Sequence, residues 1–437
     1  MDTPVRRNLG VIEKLFHVLH GCGALIDVNL ARVRGPLTPE ILQAALTCLQ
    51  QRHMILQTRI DEGRAPAFVR MSPPRIALQV LERLSPESAL EVAHGELHRP
   101  FDSSGPLWRV TLLRGGDRHE IVASFHHAII DGLSCMHLLD ELLALCAELL
   151  EGKTPDATLR EGIVRPLEEL AASRLTLSRK LGFLWNSLKQ RCLPAKLIVD
   201  GDTSSERGTR FLLRKLGSEV LRPLAARCRS EQTTVHGTLC AAALFGAYAR
   251  IGGGGAKRLS CHSSVNLRSA CGEAVEKATG CLISDVGMRF LISPDSHFWS
   301  VAREAKARLD ASISAREPHD SILLAQWLRA DETMIRKMAA LNGGRMNTAH
   351  VSNRGRYPIP ESYGPLRLEE LYATTGIHLV GTCLWLGAIS FHDELFLTIA
   401  YAEPAVLNST AEAFADDVTT MLTRAGNDKD AIKVSSA

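Results

Sequence analysis

The segment EIVASFHHAIIDG, residues 120–132, decides how the chain is read. Glu120 to Phe125 alternate well enough to be a strand, and His126 and His127 stand at its end. Neighbouring strand positions point to opposite faces, so one histidine can face packing while the other faces a cleft. Asp131 follows His127 by four residues, and Gly132 permits a turn that a Cβ could block. A helix of about 17 residues is expected beyond it, carrying the apolar repeat Met136, Leu139, Leu142, Leu143, Cys146 and Leu150.

Elements of the same kinds extend on both sides. Ala24–Val33 reads as a strand. A helix follows through Gln51, with Thr38 as N-cap and Pro39 at the first helical position. Short strands are expected near Leu56–Ile60, Phe68–Met71 and Ile76–Val80, then a helix near Pro86–Leu97. Leu107–Arg114 pairs with the Glu120 strand through the turn Gly115-Gly116-Asp117. Leu167, Leu170, Leu177, Leu181, Leu184 and Leu188 form one stripe, predicting a bridging helix. Its bases Arg179, Lys180, Lys189 and Arg191 could dock an acidic carrier, although a solvated charged face is the better reading. Later come a strand at Arg210–Leu216, helices near Gly217–Cys228 and Val235–Tyr248, and a strand ending at Val265-Asn266-Leu267-Arg268. Helices are expected at His297–Ala315, Ile322–Ala340 and Ala411–Thr423. Further strands are expected near Thr348–Asn353, Leu366–Tyr372, Ile377–Leu386, Ala388–Phe391 and Leu395–Tyr401. The uncharged run from Ala373 to His392 reads as paired buried strands rather than a membrane helix, because threonines, glycines and His378 interrupt it.

At 437 residues the chain exceeds one ordinary core and suits two domains of roughly 200 residues, divided here as 1–193 and 194–437. A net charge of +3 gives no concentrated basic face for nucleic acid. Eleven cysteines occur without a Cys-x-x-Cys pair, and the N-terminus has no continuous apolar leader region. Reduced thiols, a cytoplasmic location, a monomer and no transmembrane segment are expected. Gly252–Gly255 lacks phosphate-loop spacing, and no Gly-x-Ser-x-Gly elbow is present.

A neutral imidazole is available near physiological pH, since the ordinary histidine pKa is about 6.5. His127 is therefore a candidate general base. With sixteen histidines in the chain, spacing alone leaves a packed or surface histidine as the commoner reading. A His-His-x-x-x-Asp cluster could also bind metal, but no further ligand group has recognisable spacing, and no metal is expected.

His126-His127-x-x-x-Asp131-Gly132 resembles the signature of the chloramphenicol-acetyltransferase-like superfamily. That group includes condensation domains of peptide synthetases, plant alcohol acyltransferases, wax-ester synthases and the polyketide-associated acyltransferases of mycobacteria. Gly105-Pro106-Leu107-Trp108-Arg109-Val110 resembles the strand preceding the motif strand in condensation-type members. Val265-Asn266-Leu267-Arg268 resembles the segment whose arginine pairs with the motif aspartate. The likeness extends over nearly the whole chain. It implies an α/β fold of two similar subdomains in a V, with a tunnel between them and the motif at its middle.

Carried over by position, His127 is catalytic, His126 supports the strand end, Asp131 is structural and paired with Arg268, and Gly132 allows close approach to the acyl group. The implied reaction moves an acyl group from acyl-CoA or an acyl carrier protein to a hydroxyl or amine. No tightly bound cofactor is implied, and the phosphopantetheine thioester is a co-substrate. The plant Asp-Phe-Gly-Trp-Gly string is missing. Val351-Ser352-Asn353-Arg354-Gly355-Arg356 instead resembles the Ser/Thr-Asn-x-Gly stretch of the mycobacterial type and of related alcohol acetyltransferases. This favours a free-standing O-acyltransferase, with Asn353 and Gly355 as substrate-binding candidates beside the plain reading of a strand-end turn. Arg336, Lys337, Arg345, Arg354 and Arg356 are candidates for a donor phosphate or for ordinary surface. The alternatives are a free-standing condensation enzyme using carrier-bound substrates, a wax-ester or diacylglycerol synthase, and a silent recruiting protein of the same fold.

Overall fold

A computed structural model describes residues 6–71, 76, 78–170, 182, 194–272, 275–325 and 331–427. The chain opens with β1 (Arg6–Asn8), α1 (Val11–Gly21), β2 (Ile26–Arg34) and α2 (Pro39–Arg52). Then come β3 (Thr58–Asp61), β4 (Ala67–Arg70), β5 (Leu78–Glu82), α3 (Ser88–Glu96), β6 (Trp108–Arg114), β7 (Arg118–His126) and α4 (Gly132–Leu150). The second half contributes β8 (Gly208–Leu216), α5 (Ser218–Ser230), α6 (Val235–Arg250), β9 (Lys257–Asn266) and β10 (Ile283–Ile292). It continues with α7 (Phe298–Ser314), α8 (Glu317–Ala325), α9 (Glu332–Ala340), β11 (Arg345–Arg356), β12 (Arg367–Thr375), β13 (Gly381–Phe391), β14 (Glu394–Glu403) and α10 (Asn408–Asn427).

These elements pack as two α/β units. The first comprises residues 1–172, 266–283 and 358–376, and the second 173–265, 284–357 and 377–437. The expected single cut at 193/194 is thereby corrected. Two later segments join the first unit because β12 pairs along β2, and because residues 266–283 carry the partner of Asp131.

The first unit has a five-stranded sheet in the order β12-β2-β7-β6-β5 and a small sheet β1-β4-β3. Strand alternation sorts its faces. Asn29 and Ala31 of β2, Val110 of β6 and Ala123 and Phe125 of β7 line a cavity of about 30 Å³ against α2 and α4. Thr38 caps α2 by accepting from Ile41 N, as its sequence predicts. The second unit has a six-stranded sheet ordered β10-β9-β11-β13-β14-β8. Here α6 is buried along most of its length and packs on α7, α10 and β11.

Three further expectations change. The apolar run near Ala373–His392 does form buried strands, but β12 and β13 lie in different sheets and do not pair with one another. Gly387 does not break the second of them, since β13 continues to Phe391 in register with β14. The helix expected over Ile322–Ala340 is two helices among the described residues, because the Asp331 side chain accepts from Met334 N and starts α9 afresh. The bridging helix lies mostly outside the described residues, which include its first turn at Leu167–Leu170 and the single helical residue Gly182. Its basic end falls outside them too. Among the described residues no helix is long and apolar enough to cross a membrane.

One ionic clamp ties residues 266–283 into the first unit. Buried His53 donates from Nε2 to Glu141 at 2.7 Å and from Nδ1 to Glu161 at 3.0 Å. Glu161 in turn accepts from Thr279 N at 2.6 Å. Burial alone depresses His53, but the hydrogen bonds and charges of Glu141 and Glu161 outweigh it and hold the imidazole at about 9. A raised folded pKa gives stability that is complete below the unfolded value of about 6.5 and disappears as pH climbs through the folded one. Stability is therefore expected to fall between pH ~6.5 and ~9, by on the order of 3 kcal/mol. Urea midpoints measured across that window check it. His53→Gln should flatten the decline, and an equal decline in the variant would rule the clamp out as its source.

Candidate active site

β7 ends at His126, whose carbonyl accepts from Ile129 N and so starts the turn into α4. The two histidines leave the strand on opposite faces, as the alternation requires. His127 shares its face with Phe125 and Asp27, and His126 lies opposite Ile26.

The His127 ring is fixed by a single short bond, with Nδ1 2.8 Å from the Ile130 carbonyl oxygen. A carbonyl only accepts, so Nδ1 carries the hydrogen and Nε2 presents its lone pair. Phe16 of α1 packs on the ring at a centroid distance of 4.7 Å. His127 is 8% exposed, enough to keep an edge open where His126 has none.

His126 takes the opposite tautomer. Its Nδ1 accepts from Ala128 N at 3.0 Å, which leaves Nε2–H to donate to His17 Nδ1 at 3.3 Å. The His20 ring packs on it, tilted, at a centroid distance of 4.1 Å, held by Phe101 N donating to His20 Nε2 at 2.9 Å. Burial, reinforced by His20, His17 and His127, pushes His126 well below the ordinary histidine range. Burial likewise takes His20 to about 4. Both stay neutral and serve as shaped, hydrogen-bonding packing.

Asp131 is the N-cap of α4, accepting from Ser134 N at 2.9 Å and Ser134 Oγ at 3.0 Å. Arg268 grips it with two prongs, at 2.8 Å to Oδ2 and 3.0 Å to Oδ1, and Leu282 N adds a bond at 2.9 Å. The pair is fully buried. Burial would raise the carboxyl, but the Arg268 charge outweighs it and holds the group below the usual carboxylate range. The remaining Arg268 donors reach the Ala278 carbonyl, Asn266 Oδ1 and Ser134 Oγ. Gly132 is the first residue of α4.

Sequence reading did not single out Asp27, a β2 residue that is 3% exposed. Its Oδ2 lies 4.0 Å from His127 Nε2. Asn29 Nδ2 donates to Oδ1 at 2.6 Å, and Cys135 Sγ approaches the same oxygen at 3.5 Å. An isolated aspartate in a nine-residue strand carries no motif, and only the pairing of β2 with β7 brings it to the histidine.

Asn353 and Gly355 belong to the second unit. Asn353 Oδ1 accepts from Gly355 N at 2.9 Å, and Gly355 has φ +77°, a left-handed conformation that suits glycine. The turn coincides with a bulge in the β11–β13 register between Asn353 and Arg356. Both residues line a cavity of about 310 Å³ together with Arg222, Arg229, Arg356 and Asp393. Arg345 is no phosphate ligand. It is fully buried and donates to the carbonyls of Gly343, Thr382, Ile377 and His378. Arg336 pairs with Glu332 and Arg356 with Asp393. The same unit carries a polar row that sequence spacing did not reveal. His350 Nε2 lies 2.8 Å from Ser264 Oγ, and Asp285 lies between His350 at 3.9 Å and His262 at 2.5 Å. Among the described residues no group of three His, Cys, Asp or Glu side chains is placed to hold a metal ion.

The family model described as "Condensation domain" matches residues 29–320. Cyclosporin synthetase of Tolypocladium inflatum is 29% identical over 296 residues, which is 63% of this chain and 2% of that protein. Enniatin synthetase of Fusarium oxysporum is 36% identical over 133 residues, 29% of this chain and 4% of that protein. The chain thus spans only a few per cent of these relatives' length. Among solved structures, a trichothecene 15-O-acetyltransferase from Fusarium sporotrichioides aligns over 97% of this chain and 95% of its own, with TM-score 0.78 and 12% identity. The first condensation domain of the calcium-dependent antibiotic synthetase covers 99% of each chain at TM-score 0.75 and 17% identity. Polyketide synthase associated protein 5 from Mycobacterium tuberculosis covers 97% and 98% at TM-score 0.71 and 13% identity. At these identities the likeness establishes the two-subdomain, chloramphenicol-acetyltransferase-like fold.

Proposed function

Because the chain belongs to the condensation-domain family, we propose that it is an acyltransferase that moves an acyl group from a thioester to a hydroxyl or amine, with His127 as general base. The observation that carries this reading is the His127 tautomer. Nδ1–H is committed to the Ile130 carbonyl at 2.8 Å, so the available basic atom is Nε2. Neutral Nε2 accepts the nucleophile's proton as its heteroatom attacks the thioester carbonyl. The tetrahedral intermediate collapses with loss of thiolate, and the imidazolium returns the proton to that sulfur. No acyl-enzyme is needed.

In this reading His126 and its partner His17 shape the strand end, while Asp131 and Arg268 hold the turn that aims His127. Gly132 allows the acyl group to approach the backbone, and Asn353 with Gly355 contributes to substrate binding. The thioester arrives on coenzyme A or on the phosphopantetheine arm of a carrier protein. Transfer between carrier-bound substrates is the second reading, supported by the peptide synthetases among the relatives.

A thiol-release assay tests the proposal, using acyl-CoA donors of graded length with and without small alcohols and amines. Acceptor-dependent release that disappears in His127→Ala is expected. Release that is indifferent to His127 would remove the general-base reading. Acylated carrier proteins then replace acyl-CoA to separate the two donors.

A further inference from the structure

Three neighbouring strands of the second unit carry a side-chain arrangement that the proposed transfer does not use. β10, β9 and β11 lie side by side, and β9 runs parallel to β11 with His262 opposite His350. Strand residues alternate in face, so Ser264 stands on the same face as His262, two residues on. From there Ser264 Oγ reaches His350 Nε2 at 2.8 Å. Asp285 of β10 lies toward the other ring nitrogen, with Oδ1 3.9 Å from His350 Nδ1. Its second oxygen is 2.5 Å from His262 Nδ1. The carboxylate attracts a hydrogen onto Nδ1 of His350, which leaves Nε2 to accept from the serine hydroxyl. Nucleophile, base and carboxylate thus stand in the order of a serine hydrolase, assembled from three strands without a local motif.

Ordinary packing does not account for the row. β9 carries a second serine–histidine pair on its other face, where Ser263 Oγ lies 2.9 Å from His236 Nε2, but Ser263 has no exposure. Ser264 is only half-buried, and the side chains of His350, His262 and Asp285 keep 20%, 23% and 44% of their surface open. The backbone also makes room for the row, since a Cβ on Gly287 would come within 2.9 Å of the His262 ring. Desolvation by the surrounding protein holds His350 below the ordinary histidine range despite Asp285, so the ring is neutral and able to take a proton. Desolvation would depress His262 as well, but the Asp285 charge and hydrogen bond outweigh it and raise that ring.

We infer that Ser264, with His350 as its base and Asp285 behind the ring, is the nucleophile of a second active site that hydrolyses acyl esters and thioesters. Ser264 Oγ attacks the acyl carbon while His350 Nε2 takes the hydroxyl proton. The C–O or C–S bond of the substrate breaks, the imidazolium gives that proton to the departing alcohol or thiol, and an acyl-serine remains. Water then attacks the acyl-serine as His350 takes a proton from it. The bond to Ser264 breaks, the proton returns to Oγ, and a carboxylic acid leaves.

The test uses the full chain, a fluorophosphonate probe and p-nitrophenyl butyrate, with no alcohol or amine added. Peptide mass spectrometry is expected to find the fluorophosphonate adduct on Ser264 and none on the sealed Ser263. Release of p-nitrophenol should fall about 10²–10⁴-fold in His350→Gln, the usual contribution of a general base, and to the uncatalysed background in Ser264→Ala. No adduct on Ser264, or one that forms equally fast in His350→Gln, overturns the inference. So does release that persists in Ser264→Ala, and release that requires His127 instead belongs to the transfer site. The adduct is read on the unaltered protein, so a variant that fails to fold does not protect the proposal.

Discussion

Replacing His127 by alanine is expected to lower acceptor-dependent thiol release by about 10²–10⁴-fold, the usual contribution of a positioned general base. The loss should fall on kcat. The variant removes the atom that accepts the proton but leaves the Asp131–Arg268 pair that holds the turn in place. The fold should persist, because the one hydrogen bond lost is to the Ile130 carbonyl and the packing lost is one face of Phe16. Thermal unfolding beside initial rates checks both halves of the expectation. A His127→Ala protein that melts with the wild type and turns over normally would end the mechanism.

The largest effect on stability is expected at Arg268. Its guanidinium is 1% exposed and supplies two bonds to Asp131, a carboxylate with no exposure. Truncating Arg268 to alanine leaves Asp131 charged and buried without its counter-ion, which costs about 3–5 kcal/mol. Ser134 and Leu282 would still donate to the carboxylate, which is why the loss is not larger. Asp131→Asn should also destabilise, by leaving the buried guanidinium without its counter-charge. Denaturant midpoints and soluble yield measure both. An Asp131→Asn protein that is inactive yet fully stable would give Asp131 direct work in the chemistry. The pH dependence has a definite sign: a folded pKa held below the ordinary carboxylate value gives stability that is lost as pH falls through it.

Local signals were legible where a residue acts on its own neighbourhood. Thr38 and Pro39 start α2, Gly115-Gly116-Asp117 turns β6 into β7, and the two-residue period splits His126 from His127. The Asp131–Arg268 pair was legible only through resemblance, since 137 residues separate its members. Asp27 was not legible at all, because its role depends on which residue of β7 it pairs with, and register is a tertiary property. The missed boundary at Asp331 has a local reason: an apolar period continued across it and masked the capping aspartate. Arg345 looked like surface because charge predicts exposure, and four carbonyl oxygens reverse that default.

The placement of β12 bears on how the protein is made. This strand covers the free side of β2, yet it is translated more than 300 residues later. At ribosomal rates of roughly 5–20 residues per second, Asp131 waits about 7–27 s for Arg268 to be synthesised, and β2 waits longer for its outer neighbour. During that interval a nascent chain displays a hydrophobic strand edge and an unmatched carboxylate. Such intermediates depend on chaperones and aggregate when synthesis outruns them. A lower expression level or added chaperone should therefore raise the soluble fraction of this protein. A fragment ending at residue 193 should remain insoluble under every such condition, because the strand and the arginine it awaits never arrive.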